Sequence, residues 1–262
     1  MIQALQDLTD THAAIGFWQS YYRLKNIGKP WNHKRVYRVY KELRLNIRRR
    51  RKRRLPERIK QPLAVPTAVN QVWSLDFMND SLADGRKFRL FNVMDDYSRE
   101  SLAIEVDTSL PSLRVIRVLE RIIEQRGKPA NIRSDNGPEF ICKRLQKWCE
   151  AQQITWQFIQ PGKPTQNAYI ERKNGSLRRE LLNAYLFYSI RQVRAMTEAW
   201  RTDYNEDRPH GSLGYLPPVK YVEQQTKRSL IDQPLYAQTA NGNHLKNCRE
   251  PFVNKVLEKR KL

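Results

Sequence analysis

Seven consecutive cationic residues, Arg48-Arg49-Arg50-Arg51-Lys52-Arg53-Arg54, limit what this chain can become. Like charges set side by side repel one another, and neither a core nor the middle of a sheet holds them without partners. Pro56, Pro62 and Pro66 follow, and each removes a backbone donor and keeps its surroundings extended. Residues 48–70 therefore read as a basic, proline-rich linker that divides the chain. Before it lies a segment 1–47; after it come a candidate core, 71–222, and a tail, 223–262. Against nucleic acid the cost of the charge run becomes a gain, because neutralised phosphates release their counterions.

The first segment reads as helical. Residues 12–26 carry Ile15, Trp18, Tyr21, Tyr22 and Leu24 at helical spacing, and a break follows at Gly28-Lys29-Pro30. Asn32 is a candidate N-cap for a second helix. Its apolar side is Val36, Tyr37, Val39, Tyr40 and Leu43, and its basic side is His33, Lys34, Arg35, Arg38 and Lys41. Two short helices, a glycine turn and a basic second helix fit a small helix-turn-helix-like DNA-binding module. Lys34, Arg35 and Arg38 are its candidate DNA contacts, with Arg48, Arg49, Arg50 and Arg51 of the arm. A helical bundle with a solvated basic face is the plainer alternative.

From Gln71 the period shortens to two. Val72–Met78, Lys87–Asp95 and Ser101–Val106 read as strands, the first two joined by a turn at Asp84-Gly85. Leu113–Gln125 is amphipathic and stops at Gly127-Lys128-Pro129. A short strand Asn131–Ser134, a helix Pro138–Gln152, a strand Ile154–Ile159 and helices over 166–182 and 189–205 complete the pattern. Three meandering strands, then alternating helices and strands, predict a mixed α/β sheet covered by helices. That order is RNase H-like. Beyond Pro218 clear periodicity is lost, and the tail reads as peripheral, either disordered or a short tethered helix.

Charge and composition narrow the function classes. Lys and Arg number 48 against 27 acids, a formal +21, and the commonest partner for such an excess is nucleic acid. Six Trp, 12 Tyr and 8 Phe suit a chain with a large core better than a generic basic ribosomal component. No apolar run approaches the roughly 18 residues of a membrane span, and no secretory segment follows Met1. The reading is a cytoplasmic, nucleoid-associated protein with no membrane partner. Cys142, Cys149 and Cys248 form no disulfide framework. A zinc module before the core fails on spacing, since His12 and His33 precede it but no cysteine does.

Three carboxylates carry the chemistry. Asp76 lies in Val72-Trp73-Ser74-Leu75-Asp76-Phe77, Asp135 in Ser134-Asp135-Asn136-Gly137, and Glu171 in Tyr169-Ile170-Glu171-Arg172, with 35 residues between the last two. Asp76 and Asp135 would end neighbouring strands, and Asn136-Gly137 would let the chain turn sharply behind Asp135. Such a set can hold two Mg²⁺ ions, with Mn²⁺ as a substitute, for in-line attack on a phosphodiester. Asp76 would bridge both ions, with Asp135 and Glu171 holding one each. Asp95 and Asp96 read as turn caps, and Glu139 as an acid in the first turn of a helix, with metal ligation the alternative for each. Asn174, Gly175 and Arg178 share the Glu171 face, which would set Arg178 on a DNA phosphate. Asn167 and Gln166 are weaker DNA candidates. His210 would either approach DNA or pack a loop.

The motifs resemble those of bacterial insertion-sequence transposases, specifically the DDE-type integrase-core subunit of the IS-three family. They are Val72–Phe77, Ser134-Asp135-Asn136-Gly137-Pro138-Glu139-Phe140, the run Gly162–Gly175, Tyr204-Asn205-Glu206-Asp207-Arg208-Pro209-His210 and, upstream, Asn32–Arg38. The resemblance implies a retroviral-integrase-like catalytic core, with Asp76, Asp135 and Glu171 as catalytic and metal-binding residues. It also implies a Lys or Arg at the position of Arg178. The implied activity cleaves DNA at transposon ends and joins the 3′-hydroxyl to target DNA. The implied partners are the terminal repeats, target DNA, further copies of the chain and the product of an upstream reading frame. No sustained heptad run precedes residue 12, so dimerisation through a coiled coil would fall to that upstream product. Two alternatives are a nuclease of the same fold that cuts without joining, and a silent DNA-binding regulator. The complete carboxylate set opposes the second.

Overall fold

Trp73, Leu75 and Phe77 project to one side of β1 (Val72–Ser81), while Ser74, Asp76 and Met78 project to the other, as a period of two requires. The computed structural model describes residues 1–12, 14–46, 66–137, 139–159 and 167–231, with side chains through Lys227. β1 pairs antiparallel with β2 (Lys87–Asp95), and β2 antiparallel with β3 (Ser101–Asp107). On its other side β1 runs parallel to β4 (Asn131–Ser134), which runs parallel to β5 (Thr155–Phe158). The order is β3-β2-β1-β4-β5, an RNase H-like mixed sheet.

Before the sheet come α1 (Ile2–Thr11), α2 (Phe17–Asn26) and α3 (His33–Glu42). Helices cover both faces of the sheet. α4 (Ser112–Arg126) and α5 (Lys143–Gln152) pack Val115, Leu119, Ile122, Leu145 and Cys149 against Trp73, Leu75, Phe91, Val93 and Ile132. On the opposite face, α6 (Ala168–Leu177), a π-helical turn (Arg178–Leu182) and α7 (Ile190–Glu206) set Leu177, Leu181, Leu182 and Val193 on Met78, Phe88, Leu90 and Val106. Asp76 belongs to this second face. At the β3 edge, Arg194 Nε donates to the Val106 carbonyl at 2.8 Å, and Asn205 bonds both the N–H and the C=O of Ser101. α7 thereby closes an edge that would otherwise offer free backbone groups.

The helical start differs from the predicted single helix over 12–26. α1 ends at Thr11 and α2 begins at Phe17, because Ala14 takes a left-handed conformation (φ 58°) and Gly16 is extended at the N-cap. Asn32 does cap α3, its Oδ1 accepting from Lys34 N at 2.9 Å. Leu5, Leu24, Val36 and Tyr40 form the core of the three helices. This module also leans on α7 and the chain beyond it: Arg23 bonds both Asp203 oxygens, at 2.8 and 2.6 Å, and the Tyr22 ring stacks on Tyr215 with centroids 3.7 Å apart.

The structure departs from the predicted elements at one further place. The helix predicted from Pro138 starts at Lys143, after a turn in which Phe140 and Ile141 N–H groups bond the Gly137 carbonyl. That turn sinks Phe140 into the core among Phe77, Phe91 and Trp156, a gain that helical continuation would forfeit. Past Pro218, where periodicity is lost, the chain forms α8 (Pro218–Ile231). By compactness the chain divides into Met1–Gln224 and Gln225–Leu262, the latter described only to the end of α8. Among the described residues no helix is long and apolar enough to cross a membrane.

Candidate active site

The parallel pairing of β1 with β4 decides where the first two acids meet. Ser74 pairs with Arg133, and two residues further along each chain stand Asp76 and Asp135, at the same end of the sheet. Asp135 lies just beyond β4, its Oδ1 accepting from Gly137 N at 3.1 Å. The chain turns beyond Gly137, whose carbonyl accepts from the Phe140 and Ile141 N–H groups, but without using the left-handed freedom of glycine. Its φ is not positive; instead a Cβ there would stand 3.1 Å from Asp135 Oδ1 and 3.2 Å from Glu139 Oε2. A larger residue there would press on both carboxylates.

Glu171 occupies the first turn of α6, and two amides tie that helix to β1. Asn167 Nδ2 donates to the Leu75 carbonyl at 3.3 Å, and Asn174 Nδ2 to Asp76 Oδ2 at 2.7 Å. The other Asp76 oxygen accepts from Phe77 N at 2.8 Å. Burial pushes the Asp76 carboxyl up to about 6; the Asn174 bond opposes this, and the negative charges of Asp135 and Glu171 add to it. Burial also raises Glu171 above the usual carboxylate range. Asp76 thus lies within the fields of both other acids. Among the described residues, no three His, Cys, Asp or Glu side chains close on one point as a ready metal cage.

The remaining candidates fall in several places. Arg178 follows α6 on the side facing β1, where Nη2 donates to the Asn79 carbonyl at 2.9 Å and Nη1 stands 3.4 Å from Asp80. Asn174 and Asn167, expected to touch DNA, are instead 6% and 3% exposed and committed to β1. Lys34, Arg35 and Arg38 stand exposed on α3, whereas Arg48, Arg49, Arg50, Arg51 and Gln166 lie outside the described residues. Asp95 caps the turn as predicted, accepting from Tyr97 and Ser98 N–H groups. Asp96 does not cap; it is fully buried between Ser74 Oγ (2.6 Å) and Arg133 (3.0 Å). Glu139, outside any helix, pairs with Arg89 at 2.6 Å. His210 packs edge-on against Tyr204, and burial pushes it down to about 3.

Two residues near Asp76 escaped the sequence reading. Lys173 is 2% exposed, and its Nζ donates to Asn92 Oδ1 at 3.0 Å. Burial lowers Lys173 to about 7, with Asp76 acting in the opposite direction. Asn92 is fully buried and stands directly opposite Asp76 across β1 and β2. The signal was a lysine at 173 within the apolar stripe Ile170–Leu177 of a short helix.

Comparison with known proteins agrees with this architecture. Residues 66–164 and 152–218 match two family profiles, each described as an integrase core domain. The chain is 42% identical over 230 residues to an uncharacterized 31.7 kDa protein of insertion element IS407 from Burkholderia multivorans, covering 88% of this chain and 82% of that protein. It is 40% identical over 218 residues to an uncharacterized 39.2 kDa protein of insertion element IS476 from Xanthomonas euvesicatoria, covering 83% of this chain and 63% of that one. Among solved structures, a chain of the simian T-cell lymphotropic virus intasome, in complex with PP2A regulatory subunit B56 gamma, superposes with a TM-score of 0.54 at 17% identity. That match covers 94% of this chain and 80% of the other, a likeness of fold.

Proposed function

The chain belongs to the integrase-core transposases of bacterial insertion elements, and from that premise we propose that Asp76, Asp135 and Glu171 are its catalytic carboxylates. The observation that carries this assignment is the placement of Asp76, bonded to α6 through Asn174 and raised in pKa partly by the charges of Asp135 and Glu171. Carboxylates gathered without a cation repel one another, and a divalent ion relieves that repulsion. Their hard oxygen donors suit Mg²⁺, or Mn²⁺ in its place. Divalent ions held by Asp76, Asp135 and Glu171 would supply activation of the attacking oxygen and stabilisation of the leaving 3′ oxygen.

The chain's own side chains orient this set. Asn174 fixes the Asp76 carboxylate, Gly137 N–H fixes that of Asp135, and Asn167 clips the start of α6 to β1, which sets the approach of Glu171. Arg178 stands two turns beyond Glu171, just past the end of α6, held by the Asn79 carbonyl at 2.9 Å and more loosely by Asp80. A phosphate of the bound DNA would compete with these neighbours for its guanidinium. Lys34, Arg35 and Arg38 on α3, with Arg48, Arg49, Arg50 and Arg51, neutralise phosphates further away. The reaction is cleavage at the element's ends, followed by attack of the freed 3′-hydroxyl on a second phosphodiester. Each copy holds one such site and an element has two ends, so we assign a multimer on DNA. The product of an upstream reading frame is its proposed partner, and the nucleoid its site of action.

Joining by the chain is tested with a duplex carrying the element's end and terminating in either a 3′-hydroxyl or a 3′-deoxy sugar. Joined product should form only from the hydroxyl. Cut ends that are never joined, whichever terminus is supplied, would favour a nuclease without strand transfer.

A further inference from the structure

Lys173 occupies a position where an apolar side chain would ordinarily sit. It lies two residues past Glu171 on the side of α6 turned to the sheet, near Ile170 and Leu177, and is among the largest fully buried side chains of the protein. Lysine is almost never fully buried without a reason, and a methionine there would fill the space at no cost in lost hydration. Its bond is to Asn92 Oδ1, at 3.0 Å. Asn92 is also fully buried, faces Asp76 in the β1–β2 register, and has its Nδ2 unbonded. The polar pair therefore lies beside Asp76, across the β1–β2 register on the same face of the sheet, where packing alone gives it no purpose.

We propose that Lys173 is a positioning residue of the active site, an internal cation bonded to Asn92 beside Asp76 that balances the carboxylates when no metal is bound. This rests on the carboxylate assignment above. A positive charge there holds Asp76 back from its acidic neighbours and opposes a divalent ion arriving in front. Repulsion between a single and a double charge several ångströms apart is large even at an effective dielectric constant of about 20. Removing the lysine charge should therefore tighten metal binding by about tenfold or more. A side chain that only supported the fold would, when lost, loosen metal binding or leave it unchanged.

The test is calorimetric titration of the full chain with Mn²⁺ at pH 6.5, without DNA. It compares wild type with Lys173→Met, Lys173→Arg and Asp76→Asn. The expected result is binding by wild type, loss in Asp76→Asn, near wild-type affinity in Lys173→Arg and at least about tenfold tighter binding in Lys173→Met. Unchanged or weaker binding in a folded Lys173→Met protein overturns the role of Lys173 while leaving the carboxylate assignment in place. Binding in Asp76→Asn equal to wild type overturns that assignment, and the inference with it. Should Lys173→Met fail to fold, the double variant Lys173→Met/Asn92→Leu removes the stranded amide and carries the same measurement.

Discussion

Asp76→Asn should make the metal-free protein more stable at neutral pH while abolishing its activity. In the folded chain the Asp76 carboxyl is pushed up to about 6, chiefly by burial, against an ordinary value near 3.9. At 1.36 kcal/mol for each pH unit, ionising it in place costs about 3 kcal/mol. Asparagine removes that charge and keeps the shape, but its single carbonyl cannot accept from both Asn174 and the Phe77 N–H. The lost bond returns about 1 kcal/mol, leaving a net gain of about 2 kcal/mol, and partial exposure of Asp76 pulls this toward 1. The sign with pH follows from the raised value. Asp76 favours the wild-type fold fully at pH below about 4, and that contribution is lost as pH rises through about 6. The advantage of the variant should accordingly be greatest above pH 7 and nearly gone at about pH 5. Urea unfolding of both proteins in EDTA at pH 5 and 7.5 measures it. A variant no more stable than wild type at pH 7.5, or an advantage that acid does not shrink, would refute the reasoning. Adding Mg²⁺ should then stabilise wild type alone.

Three further outcomes are expected. Gly137→Ala should leave a folded protein with activity cut about tenfold or more, because the new methyl crowds Asp135 Oδ1; undiminished strand transfer would show that this carboxylate is not in use. Arg178→Ala should weaken strand transfer and Arg178→Lys should partly restore it, since one point charge suffices for one phosphate; a variant matching wild type across a salt titration would confine Arg178 to its contact with Asp80. Replacing Arg48, Arg49, Arg50 and Arg51 together by Gln should flatten the dependence of log affinity on log salt by about 3.6 for duplex DNA; a change below about one would remove the arm from the DNA contacts.

Where one periodicity dominated, the fold was legible. Lys87–Asp95 and Asn131–Ser134 are strands over the predicted residues, and the helix predicted over Leu113–Gln125 extends by one residue at each end. The reading faltered where long-range burial outweighed local preference. Pro138 suits a helix start, yet docking of Phe140 in the core delays α5 to Lys143. Pro218 opens α8 in the stretch where the lost pattern left disorder and a short tethered helix both open. In the site, Asp76, Asp135 and Glu171 stand out because their spacing and contexts are local to the sequence, and they remain the proposed ligands. The parts of Asn167, Asn174, Asn92 and Lys173 could not be read that way. Each contacts a residue more than 80 positions away, and polar side chains are by default assigned to solvent. Asp96 misled for the same reason, its partner Arg133 lying 37 residues away on another strand.

The most direct test of the account is strand transfer by Asp76→Asn, Asp135→Asn and Glu171→Gln in Mg²⁺ and in Mn²⁺, with binding to the element's end measured on the same preparations. One shared site predicts that each variant binds DNA as wild type does but neither cleaves nor joins in either metal. Losses in the double variants should be no deeper than in the single ones. More than about a tenth of wild-type activity in any one of them would contradict the account, since a shared site leaves no such remainder when one ligand is lost.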